Sequence, residues 1–439
     1  MTIPQRDKKV IWHPLTQHFM ADLPIPIVRG EGAYLFDQDG KRYLDLISSW
    51  WVNLFGHGRP EIASAIYKQA QTLEHVIFAG FTHEPAVNLA EKLLSILPSG
   101  FSKVYYSDNG STAVEIALKM AYQFWRNQGQ MQRQRFIAFE KGYHGDTFGA
   151  MSVGKTSHYH THFDDLLFNV DFFAYPETWL QDENIIAKEK NILNSIQTYL
   201  EKYANEVAGM IIEPLVQGAS GMRMCRVEFL QELEALLRRY GVLIIYDEVM
   251  TGFGRTGDYF ACLKAKTSPD IICLAKGLSG GFLPLSVTAC KEFIYEAFLG
   301  DGFQKAFSHS HSFTGNPLGC AAALASLELL TSPETALKIS TIEKIHLEEM
   351  AQLTTLESIE KLRCCGTIAA IDLKLPIGYA SQLSIELRKR FMKQGLLIRP
   401  ISNVIYLMPP YCILESDLRR AYQIIAEEIQ GVLHHECSM

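Results

Sequence analysis

The sequence lacks the features that mark nucleic-acid-binding, membrane and secreted proteins. Its 41 Lys and Arg residues are offset by 48 Asp and Glu residues and form no basic stripe, so nucleic acid is not expected as a partner. Its most apolar stretch, Val242–Tyr246, is too short to cross a bilayer, and no signal-peptide core follows the polar segment 1–11. The sequence therefore predicts no membrane partner.

Disulfide and metal motifs are also missing. The nine cysteines are scattered without a CxxC pair, and the adjacent Cys364 and Cys365 have poor geometry for a mutual disulfide. His158, His160 and His162 alternate, but no cysteine or carboxylate motif completes a metal site around them. We expect reduced core cysteines in a cytoplasmic protein, exposed loop histidines and no bound metal.

What the sequence does contain is a regular alternation of helix-like and strand-like segments. The runs Val207–Ile212, Val242–Tyr246 and Asp270–Leu274 are apolar nearly throughout, and the amphipathic segment Glu228–Arg239 lies among them. Strands of this kind are typically buried on both faces. The sequence thus predicts an α/β fold with a mostly parallel central sheet covered by helices.

Length and a later change of pattern predict the domain organisation. A chain of 439 residues is long enough for two or three domains. Residues 1–55 contain a predicted β-hairpin with an Asp-Gly turn and are expected to join the small domain. Residues 56–329 are expected to form the large domain, and residues 330–439 a smaller α+β C-terminal domain.

Polar residues follow the ends of the predicted strands. Glu213 follows Ile212, Asp247 follows Tyr246, and Lys276 comes shortly after the third apolar run. A Gly-Ser turn at 110–111 likewise separates a short strand-like run from a helix-like one. Because ligands bind outside the carboxyl ends of parallel strands, we expect these groups to converge on one rim of the sheet.

Each of these residues has a functional and a structural interpretation. Partial desolvation would lower the pKa of Lys276 and favour nucleophilic chemistry, but the position also fits a surface lysine. Asp247 suits pairing with a ring nitrogen, and equally helix capping or a salt bridge. The turn at Gly110 and Ser111 suits phosphate binding or simple capping. Tyr143 suits stacking on a planar ring or ordinary packing.

Residues 149–156 match the phosphate-loop pattern GxxxxGK[ST] letter for letter. That pattern functions only where a strand runs directly into it and a helix leaves from it. The nearest predicted strand ends at Phe139, and residues 157–162 do not resemble the start of a helix. A nucleotide-hydrolysing loop is therefore not expected.

Six motifs taken together resemble one family. They are YYSDNGSTAVEIALKMA (105–121), GYHGDTFGAMSVG (142–154), IIEPLVQGASGMR (211–223), LIIYDEVMTGFGRTG (243–257), DIICLAKGLSGG (270–281) and HSFTGNPLGCAAA (311–323). From about Trp12 to Pro410 the chain resembles the class III (ω-type) aminotransferases of pyridoxal 5'-phosphate (PLP) fold type I. The resemblance implies PLP as cofactor and an enzyme that transfers amino groups.

The resemblance also implies roles at the cofactor. Lys276 would form a Schiff base with PLP and carry the proton, Asp247 would hold the pyridine nitrogen, and Tyr143 would lie against cofactor and substrate. Homodimers with shared active sites are implied as well, in which a loop residue reaches a phosphate across the interface. The remaining implied cofactor-binding residues are Gly110, Ser111, His311 and Ser312.

Substrate contacts are implied in the same way. Trp50 would line the substrate pocket. Arg399 would bind a substrate carboxylate, because its planar guanidinium can make paired hydrogen bonds to one. Leu15 stands where many relatives have an aromatic residue, and residues 310–312 read Ser-His-Ser where many relatives have Gly-Pro-Thr. The full set of implied substrate-binding residues is Leu15, Trp50, Tyr143, Lys276, Ser310, Arg399 and Tyr406.

Four further segments narrow the expected substrate. IWHP (11–14), SSWW (48–51), IRP (398–400) and IYLMPPY (405–411) resemble the branch that aminates 8-amino-7-oxononanoate in biotin biosynthesis. S-adenosylmethionine is the usual amino donor there and lysine the alternative; aromatic faces at 50–51 favour the sulfonium cation. The other interpretations are a different class III ω-amino-acid aminotransferase and a PLP-binding regulatory protein without turnover.

Overall fold

A computed structural model describes residues 1–154, 161–374 and 382–436 of the chain. The strands are β1 (Ile27–Glu31), β2 (Tyr34–Asp37), β3 (Arg42–Asp45), β4 (Phe101–Ser107), β5 (Arg135–Phe139), β6 (Val170–Phe173), β7 (Val207–Ile212), β8 (Val216–Gln217), β9 (Arg223–Met224), β10 (Leu243–Asp247), β11 (Ile271–Leu274), β12 (Ser286–Lys291), β13 (Ile359–Cys365), β14 (Ile368–Leu373), β15 (Leu396–Leu397) and β16 (Val404–Leu407).

Helical segments cover much of the rest of the described chain. They are α1 (Ile3–Val10), α2 (Ser48–Trp51, a single turn), α3 (Pro60–Ala70), α4 (Glu84–Ile96), α5 (Gly110–Asn127), α6 (Phe148–Val153), α7 (Ile185–Tyr203), α8 (Val227–Arg239), α9 (Ala261–Ala265), α10 (Glu292–Glu296), α11 (Pro317–Leu330), α12 (Pro333–Leu353), α13 (Gln382–Lys393) and α14 (Glu415–Glu436). Short 3-10 turns occur at Thr161–Leu166, Ala204–Glu206, Lys276–Ser279 and Phe303–Lys305.

The central sheet has seven strands in the order β4-β12-β11-β10-β7-β5-β6. The pairs β11–β10, β10–β7, β7–β5 and β5–β6 are parallel, and β12 runs antiparallel to both of its neighbours. Every residue of β7, β10 and β11 is buried, as expected for strands covered by helices on both faces. The predicted α/β fold with a mostly parallel sheet is confirmed.

The predicted hairpin near the N-terminus is also confirmed, because β2 and β3 pair antiparallel around the Asp-Gly turn. On its other edge β3 pairs in parallel with β15, where Leu44 lies opposite Leu396. The first strands of the chain therefore share a sheet with a strand from near its end. We propose the division 1–55, 56–329 and 330–439 on the basis of this pairing.

The segment that matches the phosphate-loop pattern is part of a helix. Gly149 lies inside α6, and its amide donates to the carboxylate of Glu115 at 2.7 Å. The Gly149 amide is therefore not free to bind a phosphate. Lys155 and Thr156, which complete the pattern, and His158 and His160 lie outside the described residues.

The cysteines of the described residues all carry free thiols. Six of them are buried and two, Cys364 and Cys412, are partly exposed, while Cys437 lies outside the described residues. Among the residues described, no helix combines the length and the apolar character needed to cross a bilayer. The same residues contain no cluster of His, Cys, Asp or Glu suited to holding a metal ion.

Candidate active site

A cavity of about 690 Å³ opens at the carboxyl edge of the central sheet. It lies where the sequence predicts that polar groups converge, because β4, β5, β7, β10 and β11 all end at this edge. The fold brings together here six of the residues that the sequence singles out. They are Gly110, Ser111, Tyr143, Glu213, Asp247 and Lys276.

Lys276 lies two residues beyond the end of β11 and has a left-handed backbone, with φ of 45°. Its Nζ lies 4.7 Å from the centroid of the Trp51 ring, inside the cavity. Burial lowers the pKa of the Lys276 amine below its usual value, although the charges of Asp247 and Glu213 oppose this effect. The amine is thus available in its neutral, nucleophilic form more readily than an exposed lysine.

Asp247 is the last residue of β10 and is buried, with 4% of its surface exposed. Its Oδ2 lies 2.7 Å from Nδ1 of His144, and its Oδ1 accepts from the Val249 amide at 3.1 Å. Burial alone lowers the pKa of His144, but the hydrogen bond and charge of Asp247, with the charge of Glu213, outweigh it and raise that pKa. The contact with Asp247 therefore favours the protonated form of the His144 imidazole.

Glu213 adds a second buried carboxyl group beside this pair. Its Oε2 accepts from the Tyr143 amide and its Oε1 from the Gly218 amide, both at 3.0 Å. Burial raises the pKa of Glu213 to about 7. The bond to the Tyr143 amide ties Glu213 to the loop that carries Tyr143 and His144 after β5, and the bond to Gly218 ties it to the segment after β8.

Tyr143 lines the cavity and is partly buried. Its hydroxyl donates to Oδ2 of Asp146 at 2.9 Å, which holds the ring on its loop. Burial, followed by the charge of Asp146, raises the pKa of this phenol, so it stays protonated throughout the neutral range. Its position on the cavity wall suits contact with a planar ligand.

The start of α5 forms another wall of the cavity. Asn109 caps this helix by accepting from the Thr112 amide at 3.0 Å, and Gly110 and Ser111 follow in the first turn. The first amides of a helix have no acceptor within it, and the helix dipole adds positive potential there. Ser111 Oγ also lies 2.7 Å from Thr147 Oγ1, so this end of the cavity is polar and suited to an anion.

These features fit PLP, whose phosphate, ring nitrogen and aldehyde need three different partners. The start of α5 suits the phosphate, the buried Asp247 carboxylate suits a protonated ring nitrogen, and the Lys276 amine suits the aldehyde. Gly110 allows close approach, since a Cβ there would lie only 2.5 Å from Cγ1 of Val249. The residues of the cavity would therefore hold this cofactor.

Replacing Gly110 with Ala is expected to weaken PLP binding by about tenfold to a hundredfold, because overpacking by one methyl group costs about 1–3 kcal/mol. The added methyl must displace Val249, which lines the cavity. Titration of the cofactor-free variant with PLP, followed by visible absorbance, measures the change. Adding Val249→Ala removes the clash and should recover most of the affinity; no recovery would contradict the steric explanation.

Trp51 lines the cavity, whereas Trp50 does not. Trp50 is 39% exposed and its ring lies 4.6 Å from the guanidinium carbon of Arg399. Tyr406 is buried behind Trp51 and accepts from its indole Nε1–H at 3.0 Å. The structure thus joins Trp50 to Arg399 and Trp51 to Tyr406 around one side of the cavity, and the substrate-binding roles of these residues stay predictions.

The other predicted contacts lie outside the cavity lining. His311 has Nε2 3.4 Å from Oδ1 of Asp108, a residue that lines the cavity, so the loop at 310–312 approaches the start of α5. Ser310 and Ser312 in this loop are exposed. Leu15 is 57% exposed in the N-terminal segment, with φ of 48°.

Sequence reasoning gave no role to His144, and for Glu213 it predicted a place on this rim without a hydrogen-bonding partner. His144 is buried against Asp247, and Glu213 accepts one hydrogen bond from the Tyr143 amide and another from the Gly218 amide. His144 stands next to Tyr143 in the YHGD motif, so its presence in a strand-end loop was the available signal. Nothing in the local pattern indicates its partner, which lies 103 residues away.

Comparison with known proteins identifies the family. The sequence profile described as aminotransferase class-III matches residues 17–429. The chain belongs to the class III aminotransferases. Members of this class are PLP-dependent enzymes, so the chain is a PLP-dependent aminotransferase.

Similar proteins extend over nearly the whole chain. An adenosylmethionine-8-amino-7-oxononanoate aminotransferase from Synechococcus elongatus is 51% identical, over 96% of this chain and 99% of its own. The crystal structure of the protein of the same name from Methanocaldococcus jannaschii has a TM-score of 0.91 at 38% identity and covers 98% of both chains. A PLP-bound amine transaminase from an uncultivated Pseudomonas species has a TM-score of 0.90 at 30% identity, covering 96% of this chain and 98% of that one.

Proposed function

We propose that this class III aminotransferase transfers an amino group from S-adenosylmethionine to 8-amino-7-oxononanoate, which yields 7,8-diaminononanoate for biotin biosynthesis. One observation carries the choice of substrate: 51% identity, over almost the full length of both chains, to a relative named for this reaction. A cytoplasmic location agrees with the free and mostly buried thiols of the described residues.

When bound, PLP supplies an electron-accepting pyridinium ring conjugated to its aldehyde carbon. The chain's own part begins with Lys276, whose amine is buried and whose pKa is lowered, which favours its action as a general base. The Lys276 amine can accept a proton from the α-carbon of the donor. It can then donate this proton on the same face of the cavity. One flexible side chain thus serves as base and then as acid.

Asp247 and His144 provide the fixed charge of the site. The carboxylate faces the cavity from the end of β10, and the His144 ring holds its other side at 2.7 Å. A buried carboxylate in this position favours a protonated ring nitrogen on the ligand, since opposite charges attract strongly where water is excluded. We propose that His144 holds the carboxylate in the correct orientation for this purpose.

Aromatic and cationic groups suit the two proposed substrates. The faces of Trp50 and Trp51 already lie near the cations of Arg399 and Lys276, and such faces also attract a sulfonium group. Arg399 is half-buried and can present its planar fork to the carboxylate of the oxo acid. These features support the pairing of a sulfonium donor with a carboxylate-bearing acceptor.

A homodimer with shared active sites is part of the proposal. Nε2 of His75 lies 2.8 Å from the carbonyl oxygen of Ser312. The segment after α3 and the loop at 310–315 are therefore in contact. Both segments expose large apolar side chains: Ile77 is 60% exposed, Phe81 63% and Phe313 59%. Apolar surface of this kind next to an active-site loop is typical of a subunit interface.

Separate half-reactions test the proposed substrates. The PLP-loaded enzyme is mixed with S-adenosylmethionine or with lysine, and the visible absorbance of the cofactor shows which donor reacts. The aminated enzyme then receives 8-amino-7-oxononanoate, and mass spectrometry detects 7,8-diaminononanoate. We expect conversion with S-adenosylmethionine and not with lysine. An enzyme that rejects this oxo acid but accepts ω-amino acids would be a different class III aminotransferase.

A further inference from the structure

An unusual backbone turn connects the N-terminal hairpin to the cavity. Ser48, Ser49, Trp50 and Trp51 have φ angles of 49°, 48°, 77° and 75°, so four successive non-glycine residues are left-handed. In this conformation the Cβ atom of an L-residue crowds the neighbouring carbonyl oxygen, which strains each of the four residues. Such a run persists only where the surrounding structure holds it.

The carboxylate of Asp45 stabilises this left-handed turn. Its Oδ1 accepts from the amides of Ile47 at 3.2 Å and Ser49 at 3.0 Å. Its Oδ2 accepts from the Ser49 hydroxyl at 2.8 Å and lies 2.9 Å from Nε2 of His57. Asp45 is completely buried, so these four bonds are not weakened by competing water.

The hand of the turn decides where two adjacent indole rings lie. Trp51 enters the cavity above the Lys276 amine, whereas Trp50 lies outside it over the guanidinium of Arg399. A right-handed backbone at the same residues would send both side chains in other directions, because the direction of each Cβ follows from φ and ψ. The turn therefore fixes the position of Trp51, which lies above the Lys276 amine, and of Trp50, which packs against the Arg399 guanidinium.

We propose that Asp45 is a positioning residue for the acceptor pocket: it holds the left-handed turn that places Trp50 and Trp51. The proposal rests on the proposed function, because Trp50 and Arg399 matter for KM only if they contact the oxo acid. Asp45 itself does not line the cavity, so it acts through the turn and not on the reacting atoms.

Replacing Asp45 with Asn tests this role. The amide nitrogen of Asn cannot accept a hydrogen bond from Ser49 or His57, so part of the stabilisation of the turn is lost. We expect KM for 8-amino-7-oxononanoate to rise about tenfold to a hundredfold, as for small displacements of a positioned pocket, while PLP affinity changes less than about twofold. In the cofactor-free protein, the peptide covering residues 46–54 should exchange its amide hydrogens faster than in the wild type.

A rescue variant separates positioning from a general loss of stability. Glycine adopts a left-handed φ without strain, so adding Ser49→Gly to Asp45→Asn should restore much of the KM and of the amide protection. If the single Asp45 variant does not fold, His57→Ala removes one of the four bonds, since alanine has no side-chain donor, and should raise KM in the same direction by a smaller factor.

Asp37 offers a matched control in the same hairpin. It is also a buried carboxylate that accepts two backbone amides and a hydroxyl, those of Asp39, Lys41 and Tyr43, and it does not line the cavity. Asp37→Asn should leave KM for the oxo acid unchanged. The proposal is overturned if this control raises KM equally, if the Asp45 and His57 variants leave KM within twofold, or if glycine gives no rescue. A wild-type enzyme that fails to convert the oxo acid would overturn the proposed function instead.

Discussion

The Lys276→Ala variant is expected to lose transamination almost completely, with kcat lowered by about 10⁴-fold or more. Burial lowers the pKa of the Lys276 amine, which lines the cavity and both anchors the cofactor and moves the proton in the proposed mechanism. The visible absorbance of the lysine-bound cofactor should disappear in the same variant. Steady-state turnover and an absorbance spectrum measure both effects.

Lys291 provides a control for the effect of removing a buried amine. Burial lowers its pKa as well, but it lies at the end of β12 and donates to the Ser268 carbonyl at 2.9 Å, away from the cavity. Lys291→Ala should keep near-normal kcat. Borohydride reduction of the wild type, followed by peptide mapping, should place the label on Lys276. A label on another lysine, or normal turnover by the Lys276 variant, would contradict the assignment.

The Asp247→Asn variant is expected to lower kcat/KM by about 10²–10³-fold, the usual effect of removing one preorganised electrostatic contact from a buried site. The neutral amide no longer favours a protonated ring nitrogen on PLP, so the ring draws electrons less strongly. The variant should also lower the pKa of His144, because burial is then opposed only by the charge of Glu213 and no longer by the hydrogen bond and charge of Asp247. Steady-state kinetics and a histidine titration by NMR measure the two effects.

Asp270 is a matched control for Asp247. It is equally buried, with 1% of its surface exposed, but it precedes β11 and so lies at the opposite edge of the sheet. There it accepts from Arg238 Nη1 at 2.6 Å and from the Ile244 amide at 2.9 Å. Asp270→Asn should reduce stability in urea while the folded enzyme keeps its kcat. Equal kinetic losses in the two variants would mean that Asp247 acts only through folding.

The large elements of the fold follow from local patterns in the chain. Apolar runs of four to six residues predict β7, β10 and β11, since only a strand buried on both faces tolerates continuous apolar side chains. The antiparallel strand β12 was not predicted. Its sequence, SVTACK, is short and mixed, and its place between β4 and β11 depends on pairing with strands that are distant in sequence.

The features of the active site likewise divide into those that the sequence predicts and those that it does not. The positions of Asp247 and Lys276 after buried strands predict that they meet, because the carboxyl ends of parallel strands share one edge. The partner of Asp247 was not predictable, since the bond to His144 joins residues 103 positions apart. The sequence drew attention to Trp50, whereas the structure places Trp51 in the cavity. Which of two adjacent tryptophans faces inward depends on backbone torsions that composition does not specify.

The amino-acid sequence by itself determined the α/β class, the strand ends that carry the polar residues and the family to which the chain belongs. These properties depend on periodicity and on the order of short motifs, both of which are local. Tertiary structure alone decided the His144–Asp247 contact, the left-handed turn at 48–51 and the separate positions of its two indole rings. Those features need distant groups, such as the buried Asp45 carboxylate, to stabilise conformations that the local chain does not favour.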